Sequence, residues 1–103
     1  MAAVLAVTTA RVRDGKFPAA LAQYAKLKAI IERAGGKYRL VTQLYGATPM
    51  TVTSIVEVGS WAEFGALNEK LEADSDYQAF VAEARANPWA DIAARGVSTE
   101  IAV

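Results

Sequence analysis

The side chains of this sequence that could take part in chemistry are hydroxyls and aromatic rings, because the usual nucleophiles and bases are missing. The 103 residues include no cysteine and no histidine. That composition excludes a thiol nucleophile, a thiolate zinc or iron–sulfur site, an imidazole base and a histidine ligand for haem. We therefore expect no metal and no cofactor. The carboxylates fall at predicted helix starts or on solvated faces, so we interpret them as caps and charge balance, not as a paired acid and base.

Three small hydroxyl residues are the best candidates for a binding site. Thr8, Thr42 and Ser54 fall near the middle of three predicted strands, on the face that we expect helices to cover. A filled core would place larger aliphatic side chains there, whereas short hydroxyls can leave a cavity with polar handles. The predicted walls of such a cavity are Tyr24, Tyr38, Trp61 and Phe64. The alternative is that these hydroxyls bond to the backbone or to each other in a filled core.

A second polar set lies on the opposite face of the same predicted strands: Arg11, Arg39, Gln43, Tyr45 and Glu57. One interpretation is an anion-binding or proton-transfer set. The interpretation that we favour is cross-strand pairing at a seam between two copies of the chain.

The elements that position these residues begin with a strand over 3–12, which is rich in Val and Thr. A helix is predicted over 17–34, because Pro18 suits the first turn and Gly35-Gly36 supplies a left-handed stop. Two further strands, 37–46 and 51–59, form an antiparallel hairpin through a turn at 47–50.

The second half of the chain is predicted to hold two helices and a last strand. Ser60 and Glu63 form a capping box for a helix over 60–72. Ser75 repeats the capping pattern for a helix over 75–86, and Asn87-Pro88 ends that helix. The last strand is predicted over 96–103.

The order β-α-β-β-α-α-β is a repeated split β-α-β unit, which predicts a single α+β domain over residues 1–103. We expect a ferredoxin-like, four-stranded antiparallel sheet with helices on one face. Alternation assigns the set that begins with Val4 to the helix side and the set with Leu5, Val7 and Ile55 to the bare side. Hydrophobic residues make up 53% of the chain, so we expect a second copy to cover the bare side in a homodimer.

The charge balance argues against polyanionic partners. Lys and Arg total 11, as do Asp and Glu, so nothing attracts nucleic acid or an anionic membrane over long range. No apolar run approaches the roughly 20 residues of a membrane span. The apolar start lacks a leading basic region and is interpreted as a strand, not a signal peptide. A cytoplasmic location is the default expectation.

Three segments resemble a known superfamily in their order and spacing: "GGKYRLVTQLYG", "VEVGSWAEFGAL" and "ADSDYQAFVAEA". Together they are similar to the dimeric α+β barrel superfamily, above all to NIPSNAP-like proteins. Antibiotic-biosynthesis-monooxygenase-type proteins share that architecture. The resemblance covers nearly the whole chain. It implies a ferredoxin-like monomer whose sheet packs on a partner's sheet, with a pocket for a small hydrophobic molecule between sheet and helices.

Three functions are compatible with this resemblance. The first is a NIPSNAP-like small-molecule-binding protein of unassigned activity. The second is a cofactor-independent monooxygenase for an aromatic or polyketide-like substrate, in which a Tyr or Arg would steady an oxyanion. The third is a non-catalytic assembly subunit. In haem-degrading relatives a Trp acts with an axial His, and the absence of His argues against that role for Trp61.

Overall fold

Seven elements follow one another in the predicted order. The computed structural model describes residues 2–45 and 50–103. The elements are β1 (Val4–Val12), α1 (Phe17–Arg33), β2 (Lys37–Thr42), β3 (Thr51–Val58), α2 (Trp61–Ala73), α3 (Ser75–Ala86) and β4 (Ala90–Thr99). The predicted α+β class is confirmed. None of the helices in the described part of the chain is both long and apolar enough to span a bilayer.

The strands form one antiparallel sheet in the order β2-β3-β1-β4, so the first strand of the chain lies in its interior. Thr8 of β1 lies opposite Ser54 of β3 on one side and opposite Arg95 of β4 on the other. The β1–β4 register shifts between Thr9 and Ala10, which marks a bulge. The predicted four-stranded, ferredoxin-like topology is confirmed.

The two faces of the sheet are as the alternation predicted. On the helix side, a buried cluster joins strand residues to residues of α1 and α2: Val4, Tyr38, Val58, Ile30, Ile31, Leu67 and Leu71. On the opposite side, Leu5, Val7 and Ile55 are only partly buried. Because β-sheet side chains alternate with a period of two, each strand contributes to both surfaces.

Cross-strand pairs lie on the side away from the helices. The hydroxyls of Thr9 and Thr53 are 3.1 Å apart, within hydrogen-bond distance. The Arg39 guanidinium donates to the Glu57 carboxylate at 3.2 Å. The predicted cross-strand pairing is therefore confirmed for Arg39 and Glu57, while a seam between two copies remains a prediction.

Side-chain caps begin α2 and α3. The Ser60 hydroxyl accepts a hydrogen bond from the Glu63 amide at 3.2 Å, as predicted. The prediction that Ser75 caps α3 is wrong: the Asp74 carboxylate accepts from the amides of Asp76 and Tyr77 at 2.8 and 3.0 Å. A carboxylate that accepts two amides is a stronger cap than one hydroxyl.

A guanidinium from α1 also holds the Asp74 carboxylate. Arg33 donates to it at 2.7 Å. That hydrogen bond, followed by the one from the Tyr77 amide, lowers the pKa of Asp74 below its usual value. The cap of α3 is therefore also a link between α1 and α3.

The glycine pair after α1 has two separate roles. Gly35 has φ +105°, the left-handed conformation that the predicted helix stop requires. Gly36 is needed for space, since a Cβ there would lie 2.9 Å from Ile31 Cγ2 and 3.3 Å from Val56 Cγ1. The backbone after α1 thus packs directly against the core.

Two strands, β2 and β4, differ from their predicted ranges by more than one residue. β2 ends at Thr42 instead of residue 46, and β4 runs from Ala90 to Thr99 instead of over 96–103. β4 begins early because residues 90–92 pair with β1 beyond the bulge. Residues 46–49, which carry most of the predicted turn at 47–50, lie outside the described residues.

Candidate ligand-binding cavity

A cavity of about 700 Å³ lies between the helix side of the sheet and the helices. Ligand pockets in proteins commonly have volumes of roughly 300–1,000 Å³. Its floor includes Ala6, Thr8 and Ala10 of the interior strand β1 and Ser54 of β3. These side chains are short, so they do not fill the space above the centre of the sheet.

The helix layer leaves the β4 side of the sheet largely uncovered. α1 packs against β2 and α3, and α2 packs against β3 and α3. On β4, Ile92 is 57% exposed and Val97 is 45% exposed, although both line the cavity. The cavity is therefore bounded by the helices on one side and reaches solvent along β4.

Most of the predicted site residues line this cavity. Its lining includes Thr8, Tyr24, Tyr38, Ser54 and Phe64. The structure thus brings together side chains from β1, α1, β2, β3 and α2. Their role in binding a ligand stays a prediction.

Thr42 and Trp61, also predicted to belong to the site, are not in the described lining of the cavity. The Thr42 hydroxyl is at the end of β2 and donates to the Thr51 carbonyl at 3.1 Å. Trp61 begins α2, is 59% exposed and packs edge-on against Phe64 with the ring centroids 6.0 Å apart. Thr42 is on the edge strand β2, and Trp61 is at the exposed start of α2.

One hydroxyl on the floor, that of Ser54, also bonds to the backbone, as the filled-core alternative predicts. The Ser54 hydroxyl donates to the Thr8 carbonyl, although the distance of 3.4 Å makes the bond weak. The same side chain lines the cavity. Ser54 can therefore exchange a weak internal hydrogen bond for one to a ligand.

Tyr38 carries a buried hydroxyl without a hydrogen-bond partner among the described residues. The residue is only 4% exposed. Burial raises the pKa of Tyr38 to about 12, and nearby Ser54 opposes part of that shift without making a hydrogen bond of good geometry. The phenol is consequently neutral at physiological pH and holds an unused donor beside the cavity.

Aromatic rings form much of the wall around Trp89. The Trp89 ring meets Tyr24 edge-on at a centroid distance of 6.4 Å and Phe80 at 5.6 Å. Burial raises the pKa of Tyr24, and Trp89 offsets part of that effect. Trp89 is itself buried in a cluster with Ala10 and Val52.

Several lining residues were not among the predicted site: Asn68, Tyr77, Phe80, Arg85 and Arg95. Arg95 was missed because the last strand was predicted to start at residue 96. The alternation of Ala90, Asp91 and Ile92 was a signal that the strand starts earlier. Among residues 2–45 and 50–103, no group of three or more histidine, cysteine or carboxylate side chains could hold a metal ion.

Comparisons with known proteins identify the fold. No protein-family model matches the sequence, and no curated protein matches it. An uncharacterized NIPSNAP domain protein from Burkholderia xenovorans has 24% identity and a TM-score of 0.73, with 97% of this chain and 94% of that chain covered. A NIPSNAP family protein from Agrobacterium tumefaciens has 17% identity and a TM-score of 0.74, with 98% and 86% covered.

A candidate antibiotic biosynthesis monooxygenase from Chloroflexus aurantiacus also shares the fold. Its identity is 12% and its TM-score is 0.69, with 98% of this chain and 95% of that chain covered. The resemblance predicted from the sequence, to NIPSNAP-like and antibiotic-biosynthesis-monooxygenase-type proteins, is thus confirmed at the level of the fold. A shared fold does not assign a reaction.

Proposed function

We propose that this protein is a NIPSNAP-like small-molecule-binding protein, a single domain over residues 1–103, which holds a hydrophobic molecule between sheet and helices. The observation that carries the proposal is the cavity of about 700 Å³ over the short side chains of β1. The cavity opens along β4, so its apolar lining is in contact with water, which is unfavourable. A bound hydrophobic molecule would cover that lining.

The chemistry of the lining suits a molecule that is mainly hydrophobic with few polar groups. Aromatic and aliphatic side chains dominate the walls, and the floor offers the hydroxyls of Thr8 and Ser54. The Tyr38 hydroxyl, which has no partner among the described residues, is enclosed in the wall and would be a further donor for a ligand that displaces its neighbours. A few fixed polar groups in an apolar pocket orient a ligand and provide specificity.

We also propose that the protein is a homodimer in which two sheets pack face to face. Leu5, Val7 and Ile55 are partly exposed on the side of the sheet away from the helices, and Val41 is 48% exposed. Apolar side chains with paired polar groups among them suit a two-fold interface between identical surfaces. A cytoplasmic location remains a prediction.

A second candidate function is cofactor-independent oxygenation of an aromatic or polyketide-like substrate. The observation that favours it is that tyrosines and arginines line one cavity. In that reaction the substrate's own carbanion would reduce oxygen, while the site excludes water and a neutral phenol donates to the developing oxyanion. The third possibility, an assembly subunit, is disfavoured because its core needs no cavity.

Native mass spectrometry of the untagged protein, as purified, tests the first proposal. We expect the mass of two chains, with a small adduct that is released on denaturation. A monomer would contradict the homodimer. A dimer without adduct, whose melting temperature no member of a panel of hydrophobic compounds raises, would contradict ligand binding.

Oxygen consumption separates the two candidate functions. The protein is mixed with electron-rich phenols that raise its melting temperature, and dissolved oxygen is followed with an electrode. Binding without oxygen uptake supports a binding protein. Uptake that Tyr38→Phe abolishes, with binding retained, supports the monooxygenase.

A further inference from the structure

The charge of the cavity lining is one-sided. Arg85 and Arg95 line it, and no carboxylate among the described residues does. The whole chain, by contrast, has 11 basic and 11 acidic residues. The positive character is therefore a local property of the cavity.

These two arginines also differ from the paired arginines elsewhere. Arg13, Arg33 and Arg39 lie 2.7 to 3.2 Å from carboxylates. Within residues 2–45 and 50–103, Arg85 and Arg95 make no such ion pair. Arg85 is in the last turn of α3, where a positive charge also suits the helix dipole. Arg95 is on a strand, so that explanation does not apply to it.

Arg95 belongs to a polar row that crosses three of the four strands and ends at Leu40 of β2. Arg95 lies opposite Thr8, which lies opposite Ser54 on the next strand. Neighbouring strands are about 4.8 Å apart, so the row extends over roughly 10 Å. Over the same three strands the rows on either side are apolar: Val56, Ala6 and Val97 on one side, and Val52, Ala10 and Ile92 on the other. A ligand with one polar end therefore has a defined place for it.

We infer that the ligand of this cavity carries a carboxylate on a flat hydrophobic body; this rests on the proposed binding function. The guanidinium fork of Arg95 binds the carboxylate, Arg85 adds a second positive charge, and the aromatic walls hold the body. A phosphate is less suited. Phosphate sites usually supply free backbone amides, whereas the amides of the floor strands are engaged in the sheet.

A matched pair of ligands tests the inference: a naphthalene carboxylic acid and its uncharged carboxamide. Isothermal titration calorimetry measures both affinities for the wild type at low salt. We expect the acid to bind about tenfold more tightly, since a charge-assisted hydrogen bond is about twice as strong as a neutral one. Added salt should weaken the binding of the acid but not of the amide, because the salt screens the exposed guanidinium groups.

Two variants locate the selectivity. Arg95→Met should bind the acid and the amide with equal affinity, whereas Lys26→Met should keep the preference for the acid. Lys26 is an exposed residue of α1 outside the cavity lining, so its replacement removes the same net charge without touching the site. If Arg95→Met does not fold, Arg95→Lys is expected to retain the charge but only part of the preference, because the fork is lost.

The outcomes separate this inference from the proposed function. Equal affinity of acid and amide for the wild type would overturn the carboxylate inference and leave ligand binding in place. A preference that survives in Arg95→Met would overturn the role of Arg95. If neither compound binds, the carboxylate inference fails, and the melting-temperature panel decides independently whether the binding function fails with it.

Discussion

Replacement of Tyr38 by phenylalanine should make the protein more stable, although it deletes a polar group from the core. The Tyr38 ring is packed in the cluster with Ile31 and Leu67, and its hydroxyl has no partner in the described part of the chain. A buried unsatisfied hydroxyl costs about 1–3 kcal/mol. Phenylalanine keeps the ring and removes this cost, so we expect a gain of about 1 kcal/mol, or roughly 5 °C in melting temperature for a domain of this size.

The gain in stability from Tyr38→Phe should grow at alkaline pH. The pKa of Tyr38 is about 12, raised by burial from 10.0. Between these values the unfolded chain releases the phenolic proton and the folded chain retains it. Wild-type stability is therefore unaffected below about pH 10 and falls as pH rises toward 12, by at most about 1.4 kcal/mol per pH unit and less where solvent screens the ring. Tyr38→Phe lacks this loss.

Urea unfolding followed by circular dichroism, at about pH 8 and about pH 11, measures both effects. Tyr45→Phe is the matched control, because Tyr45 is 93% exposed and the loss of its hydroxyl should not raise stability. The reasoning would be refuted if Tyr38→Phe lost more than about 1 kcal/mol near neutral pH, because the hydroxyl would then be making a favourable bond. An advantage that did not widen at the higher pH would refute the burial-raised pKa.

Three further predictions concern packing, capping and assembly. Gly36→Ala should lower the free energy of unfolding by about 1–3 kcal/mol, because its Cβ would lie 2.9 Å from a side-chain carbon. Gly65→Ala, in open space within α2, should instead raise it by about 0.5–1 kcal/mol. Equal effects of the two variants in urea unfolding would contradict the packing argument. Asp74→Ala should lower the melting temperature near neutral pH while Glu69→Ala does not. The arginine partner, and then the α3 amides, hold the pKa of Asp74 below its usual value. The difference in melting temperature between the two variants should therefore be present above about pH 4 and disappear as the carboxylate protonates. A difference that does not depend on pH would argue against the cap. Ile55→Asp should give a folded monomer in sedimentation analysis, and a folded dimer would show that the interface lies elsewhere.

The elements and faces of the fold could be predicted because their signals are local. Pro18 and the glycine pair frame α1, and β-branched runs with alternating apolar residues mark the strands. The cap of α3 was missed because Asp74 and Ser75 are both good caps, and the choice depends on Arg33 from a distant helix. The start of β4 was missed because alanine has little strand propensity, and pairing with β1 overrides it.

The cavity could be predicted only in part, because its position depends on where the helix layer ends. Short hydroxyls on adjacent strands indicated the floor correctly. Nothing local to Thr42 reveals that it falls outside the space above β1. Arg95 depends on the strand boundary and on a bulge, both of which arise from pairing with a strand at the other end of the sequence.

The interior position of β1 also governs the order in which the chain can fold. Val4 lies opposite Thr99, so β1 must wait for a strand that is synthesised much later. Contacts between residues so far apart in sequence are slow to form. Until β4 has left the ribosome, β1 has a free edge next to the apolar residues Leu5 and Val7, and such edges invite pairing with other chains. Incomplete chains of this protein should therefore be the species most in need of a chaperone.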